Sequence, residues 1–446
     1  MTDPRPASDW HELTLGQFDF WEEFRAHPET VVSTVAHATR IEGNVDGAAL
    51  AQAISMTTAE ADVLALEFEQ AAGAPPRQRV NPALAPALRQ LDLRGHADPE
   101  AEAQARMQAD IAKPLDLLNA PLAAQWLIRT GDRTWIWYCR GHHIFLDGYA
   151  MALIERRVAH HYAALTGAGD SGQPFARFTD FLREESDFRC GPRNATAGQF
   201  WSDYLSTGPD LPVLRKGSEN YPGEPRSAEL PLGDLSDALR DSASRLGLGW
   251  PDLLILLSGL WLWSRPASDG DRVEADRVIW LPFMNRLGSI SAGLPAMVVN
   301  ILPFRITTRL DTPLELALSD LAADLRRIRR HGRYRIEQIT ADRGIGAGHR
   351  FFFSPLVNVM PFDPPVFPGC EAQREVLAAG PGDGFNATFA ANGRGDGLML
   401  YLDADPALTS EALFRQHCDG LPGFLRRALT ASSDTRLADL LEPALT

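Results

Sequence analysis

Apolar residues recur at helical spacing in some windows of the chain and alternate in others, and the two periods divide it into elements. Residues 13–24 open on Thr14, a residue type that caps helix N-termini, and then place Phe18, Trp21 and Phe24 at helical intervals. Residues 46–57 predict a second helix, and residues 31–42 and 63–68 predict strands. Residues 122–129 and 134–139 flank a Gly131-Asp132 turn and predict a hairpin. After Gly148, Met151, Ile154, Val158 and Tyr162 line one side of an amphipathic helix, whose N-terminal partial charge points at the preceding loop.

The stretch 167–174 (GAGDSGQP) is the clearest breaker, and we place a boundary there: an N-terminal lobe over 1–174 and a C-terminal lobe over 175–446. Helical patterns at 178–185 and 200–204 read as crossover segments between the halves. The second half predicts strands at 229–234, 278–284, 297–307, 351–360 and 397–403. It also predicts a buried helix at 250–264 and amphipathic helices at 314–330 and 411–429. The glycine run 344–348 and the Pro/Gly-rich stretch 364–384 read as loops. Strands and helices mix in both halves without a repeat, so the fold class is α+β in two lobes of similar size.

Composition narrows the function by exclusion. The 446 residues carry a formal net charge of −15 with no basic stripe, which argues against nucleic acid as a partner. Positive charge is almost all arginine, Lys113 and Lys216 being the only lysines. The four cysteines (Cys139, Cys190, Cys370 and Cys418) lack metal-type spacing and read as free thiols in a reducing compartment. No apolar signal core opens the sequence. The most hydrophobic run, residues 253–263, is interrupted by Ser258-Gly259 and too short to span a bilayer. A cytoplasmic monomer without metal or membrane is the expectation.

The chemistry concentrates in residues 135–148, where a strand-like apolar run ends in His142-His143, followed by Asp147-Gly148. An imidazole serves as base or hydrogen-bond partner near neutral pH, and a carboxylate four residues on can brace the loop. A glycine allows substrate to approach bare backbone. The other pair, His160-His161, lacks the aspartate and glycine and reads as solvent-facing or core filler. His331, His349 and His417 stand alone.

The pattern His-His-x-x-x-Asp-Gly over 142–148 resembles the signature of the chloramphenicol acetyltransferase-like superfamily. Combined with Met297-x-x-Asn300-x-Leu302-Pro303-x-Arg305, it looks most like a condensation domain of nonribosomal peptide synthesis, of the kind that begins siderophore-type assembly lines. Residues 13–17 with Trp21, 178–181, 281–288, 331–337 and 354–362 resemble further family segments. Residues 60–65 depart from the usual second motif, which leaves donor class and stereochemistry open.

The resemblance implies two acetyltransferase-like lobes in a V-shaped pseudo-dimer with a tunnel at their interface. It implies His143 as the catalytic residue, His142 and Asp147 as its supports, Gly148 as the point of close substrate approach and Arg286 as the partner of Asp147. Gln17, Asn300 and Asn358 would line the tunnel. It further implies an acyltransferase with no permanently bound cofactor. A peptidyl or aryl carrier protein, acting in trans, would present an acyl thioester on its phosphopantetheine arm to an amine acceptor, tethered or soluble, forming an amide. Three alternatives stay open: an ester-forming condensation enzyme, an acyl-CoA-dependent O-acyltransferase and a non-catalytic recruitment module.

Overall fold

The computed structural model describes residues 9–119, 121–219, 224–271, 276–346 and 348–441. The chain forms two compact units, neither of them contiguous in sequence. The first comprises Met1–Gly191, Arg286–Val298 and Pro364–Pro381, and the second Pro192–Asn285, Val299–Asp363 and Gly382–Thr446. The expected boundary at 174/175 thus falls short of the first unit's end. Phe178 and Phe181, on the helix Phe178–Cys190, are buried in the first unit's core together with Leu294, Val298 and Phe367 from the two later segments.

The first unit is built on a five-stranded sheet ordered Cys370–Ala379, Thr34–Gly43, Thr134–His142, Ala123–Arg129, Leu88–Asp92. The hairpin expected around Gly131-Asp132 is present, and its second strand runs through to His142 with antiparallel partners on both sides. That strand is buried from Ile136 onward, as a central strand with both faces covered should be. The helix Gly47–Glu60 packs beside the helix Gly148–Leu165, each started by an aspartate cap, Asp46 and Asp147. Thr14 caps the first helix, Leu15–Ala26, in a reciprocal box with Gln17.

The second unit carries a six-stranded sheet, Asn300–Thr307, Asp276–Phe283, Leu356–Pro361, Phe385–Ala391, Met399–Ala404, Arg226–Pro231, in which parallel and antiparallel pairs mix. Its core is organised by Trp250–Trp263, a helix buried on nearly every face. The helix Leu314–Arg330 buries Leu314, Ala317, Leu318, Leu321, Leu325 and Ile328 along one stripe, and its last turn carries arginines that complement the helix dipole. Among the described residues no single helix is long and apolar enough to cross a membrane.

Several expectations need correction. Residues 63–68 begin as a 3-10 turn, Asp62–Ala65, before the short strand Leu66–Glu69. Residues 351–360 split into His349–Phe351 and Leu356–Pro361, which belong to different sheets, with a cis Ser354-Pro355 bond between them. The stretch 364–384 is not simply a loop, since it contains the ten-residue edge strand Cys370–Ala379, paired to Thr34–Gly43. Within the glycine run 344–348, Ala347 lies outside the described residues.

Candidate active site

The strand Thr134–His142 delivers the site. The ladder continues one bond past its end, where the His143 amide donates to the Ser33 carbonyl at 2.7 Å. The chain then turns back on itself, with the amides of Phe145 and Leu146 both donating to the His142 carbonyl. Gly141 permits that return, because a Cβ there would meet the Leu146 side chain at 2.6 Å and the Phe145 ring at 3.1 Å. The turn ends at Asp147, which caps the helix Gly148–Leu165 by accepting from the Ala150 amide at 2.8 Å.

The two adjacent imidazoles have different fates. His142 is buried, and its Nδ1 accepts from the Ile144 amide at 3.0 Å, which leaves the proton of the neutral ring on Nε2. Burial, reinforced by the neighbouring charges of His143 and Arg140, pushes its pKa down to about 3, so it stays neutral across the ordinary range. His143 keeps part of its surface open. Its ring stacks on Phe20 with centroids 4.7 Å apart and planes 16° from parallel, and its Nδ1 is buried without a hydrogen-bond partner. Desolvation lowers its pKa below the usual histidine value against the opposing pull of Asp147. A neutral, partly open imidazole is the form that accepts a proton at neutral pH.

Asp147 is a structural hub. Both its oxygens accept from Arg286 Nη2 at 2.9 Å, and Oδ2 also accepts from the Val298 amide at 2.9 Å. Arg286 in turn donates to the carbonyls of Ser291, Leu294 and Ala296, and its guanidinium lies 4.8 Å from the Tyr149 ring centroid. A buried ion pair with this many additional bonds repays its desolvation, and it ties the segment Arg286–Val298 to the signature loop. Gly148 is the first residue of the helix and is partly exposed.

The three amides expected to face substrate differ from one another. Gln17 is 2% exposed and exchanges hydrogen bonds with Thr14 in the helix cap and with the Gln78 side chain at 2.7–2.8 Å. Asn300 is 1% exposed; its Nδ2 donates to the Gly332 and Tyr334 carbonyls at 2.9 Å, and its Oδ1 accepts from the Ile336 amide at 3.0 Å. Both amides are held by groups of their own unit. Asn358, on Leu356–Pro361, is partly exposed and lies opposite Thr388 in the sheet. The pair His160-His161 splits as well: His160 is exposed, while His161 is buried with Nε2 3.0 Å from Glu60.

A cavity of about 510 Å³ in the second unit, lined by Tyr204, Arg305, Asp324 and Arg327 among others, contains none of the signature residues. Among the described residues no group of three or more His, Cys, Asp or Glu side chains is placed to hold a metal ion.

Comparison with known proteins decides the family. The family model described as "Condensation domain" matches residues 12–363. The chain belongs to the condensation domain family. It is 32% identical over 412 residues to the dimodular nonribosomal peptide synthase of Bacillus subtilis (strain 168), covering 91% of this chain and 17% of that protein. It is also 32% identical over 396 residues to enterobactin synthase component F of Escherichia coli (strain K12), covering 87% and 30% respectively. The chain therefore spans less than a third of these curated relatives. Among solved structures, that of VibH, an NRPS condensation enzyme, superposes with a TM-score of 0.85 at 32% identity, covering 94% of this chain and 96% of VibH. A starter condensation domain of rhizomide synthetase RzmA, crystallised in complex with C8-CoA, gives a TM-score of 0.81 at 28% identity, with 96% of each chain covered. Condensation domains of nonribosomal peptide synthesis are acyltransferases that form amide bonds, and this condensation domain is an enzyme of that class.

Proposed function

We propose that this condensation domain moves an acyl or aminoacyl group from the phosphopantetheine thioester of a carrier protein, supplied by another polypeptide, to an amine acceptor in siderophore-type biosynthesis in the cytoplasm. The observation that carries the reading is the division of labour in the signature. His142, Asp147 and Arg286 are committed to structure, while His143 is partly exposed and its ring is kept neutral by burial.

His143 is then the catalytic residue. As the amine nitrogen bonds to the thioester carbon, Nε2 takes the ammonium proton, because Nδ1 is buried against the protein. Collapse of the tetrahedral intermediate breaks the C–S bond, and the proton passes to the departing sulfur. A thioester is already activated, so positioning supplies much of the acceleration. The Gly148 amide, at the helix N-terminus, is our candidate donor to the developing oxyanion. Asn358, the partly exposed one of the three amides, is our candidate substrate contact.

The test is mass spectrometry of a carrier protein loaded with a benzoyl thioester and incubated with the enzyme and a panel of amines, with matched alcohols alongside. Amide formation that falls at least a hundredfold in His143→Ala is expected. Its rate should decline as the pH drops through a midpoint below 6.5, because only the neutral ring accepts a proton. Unchanged product formation in His143→Ala would overturn the catalytic reading. The RzmA complex with C8-CoA favours a second reading, in which an acyl-CoA rather than a loaded carrier is the donor. Turnover with octanoyl-CoA and none with loaded carrier would establish it.

A further inference from the structure

The edge strand Cys370–Ala379 ends against the signature histidine. A Cβ built on Gly380 would lie 2.2 Å from His143 Cδ2 and 2.9 Å from Nε2, well inside any real contact, and Gly380 has a φ of +88°. Phe20 covers a face of the same ring. The imidazole therefore sits in a slot with an aromatic ring along its face and bare backbone at its Cδ2–Nε2 edge.

The strand that presents Gly380 is anchored twice. It pairs antiparallel with Thr34–Gly43 along most of its length, and Arg374 within it donates to the buried carboxylate of Glu155 on the helix Gly148–Leu165. The other Glu155 oxygen lies 2.7 Å from His37 Nδ1, on the neighbouring strand. The helix that begins at the signature thus grips the strand that ends beside His143. None of these anchors touches the imidazole directly; Gly380 does.

We propose that Gly380 is a positioning residue for His143, holding the imidazole against Phe20 and leaving the space beside Nε2 free for the incoming amine. This rests on the reading of His143 as catalytic. Any side chain at 380 would either occupy that space or force the ring off Phe20.

Gly369, at the other end of the same strand, provides the control. It too has a positive φ, +72°, but a Cβ there meets nothing within 4 Å. Gly369→Ala thus imposes the same backbone penalty without the contact. The experiment is NMR of the full chain with ring-labelled histidine, the His143 signals being assigned by their loss in His143→Ala. In Gly380→Ala we expect the His143 ring resonances to lose the shift caused by Phe20 and its titration midpoint to rise toward 6.5. The resonances of His142 and His161 should stay in place, and Gly369→Ala should leave all of them unchanged.

Unmoved His143 resonances in folded Gly380→Ala would overturn the proposal. Should that variant fail to fold, Gly380→Asn, which tolerates positive φ, repeats the test. Loss of fold in both, with Gly369→Ala intact, would make Gly380 a folding residue and overturn it as well. Turnover separates the two readings, with a benzoyl-loaded carrier and 1,3-diaminopropane as probes. A fall in kcat of tenfold or more with KM within twofold supports both. A displaced ring with unchanged turnover supports Gly380 as the positioner and removes His143 from the chemistry.

Discussion

Each unit of the protein contains a buried polar hub, and the two are built differently. In the first, the Asp147 carboxylate meets a guanidinium, a helix cap and a strand amide. In the second, the neutral amide of Asn300 bridges two carbonyls and an amide of the segment 332–336. Both hubs lie on family motifs, and both are bonded to protein groups of their own unit. A charged hub tolerates no missing partner, because what remains is an unpaired buried ion, whereas a neutral hub loses only its hydrogen bonds. Motif residues of this kind hold shape, whereas His143 beside them keeps a buried Nδ1 without a hydrogen-bond partner.

The contrast is sharpest in its energetics. Arg286→Ala strands a buried carboxylate and should cost about 3–5 kcal/mol in urea unfolding. Asn300→Ala leaves two carbonyls and an amide without their partner and should cost about 2–3 kcal/mol. Equal losses in the two variants would break the comparison.

Acid should destabilise the first unit through His142. The unfolded chain protonates His142 near pH 6.5, while the folded chain resists until about 3. Stability is therefore full above pH 6.5 and falls by about 1.4 kcal/mol per pH unit as the pH drops through that window. Between pH 7 and pH 5 the loss from this residue is about 2 kcal/mol, and it should vanish in His142→Asn. A pH dependence unaltered in that variant would show that His142 is not the group responsible.

The smallest effect belongs to Asn358, which anchors no such hub. Asn358→Ala should change stability by less than about 0.5 kcal/mol. If its amide meets substrate, the same variant should raise KM severalfold at constant stability.

The sequence was legible where its signals were local. The helix Leu314–Arg330 is bounded as its apolar stripe predicts, and Thr14 caps the helix it opens. The signature loop follows its strand as the alternation of residues 134–139 implies. What escaped is long-range. The strand Cys370–Ala379 carries Glu371, Arg374 and Glu375 and keeps neither face fully buried, so its residues look like a polar loop between Pro/Gly clusters. Its partners Thr34–Gly43 and Glu155 are more than two hundred residues away. The partners of Gln17 and Asn300 escaped for a related reason. Residue type announces a hydrogen-bonding amide, but only the fold shows that Gln78, or the carbonyls of Gly332 and Tyr334, already occupy it.

The discontinuity of the first unit has a consequence for how the protein is made. A ribosome that has emitted every residue through Gly191 has produced the signature histidines but not the guanidinium that neutralises Asp147, nor the strand that borders Thr34–Gly43. Those arrive about 95 and 180 residues later, so that half of the molecule waits on the rest of translation. Cutting the gene after Gly191 would yield an N-terminal fragment that lacks part of its own core, and only co-expression with the remainder would supply the missing pieces.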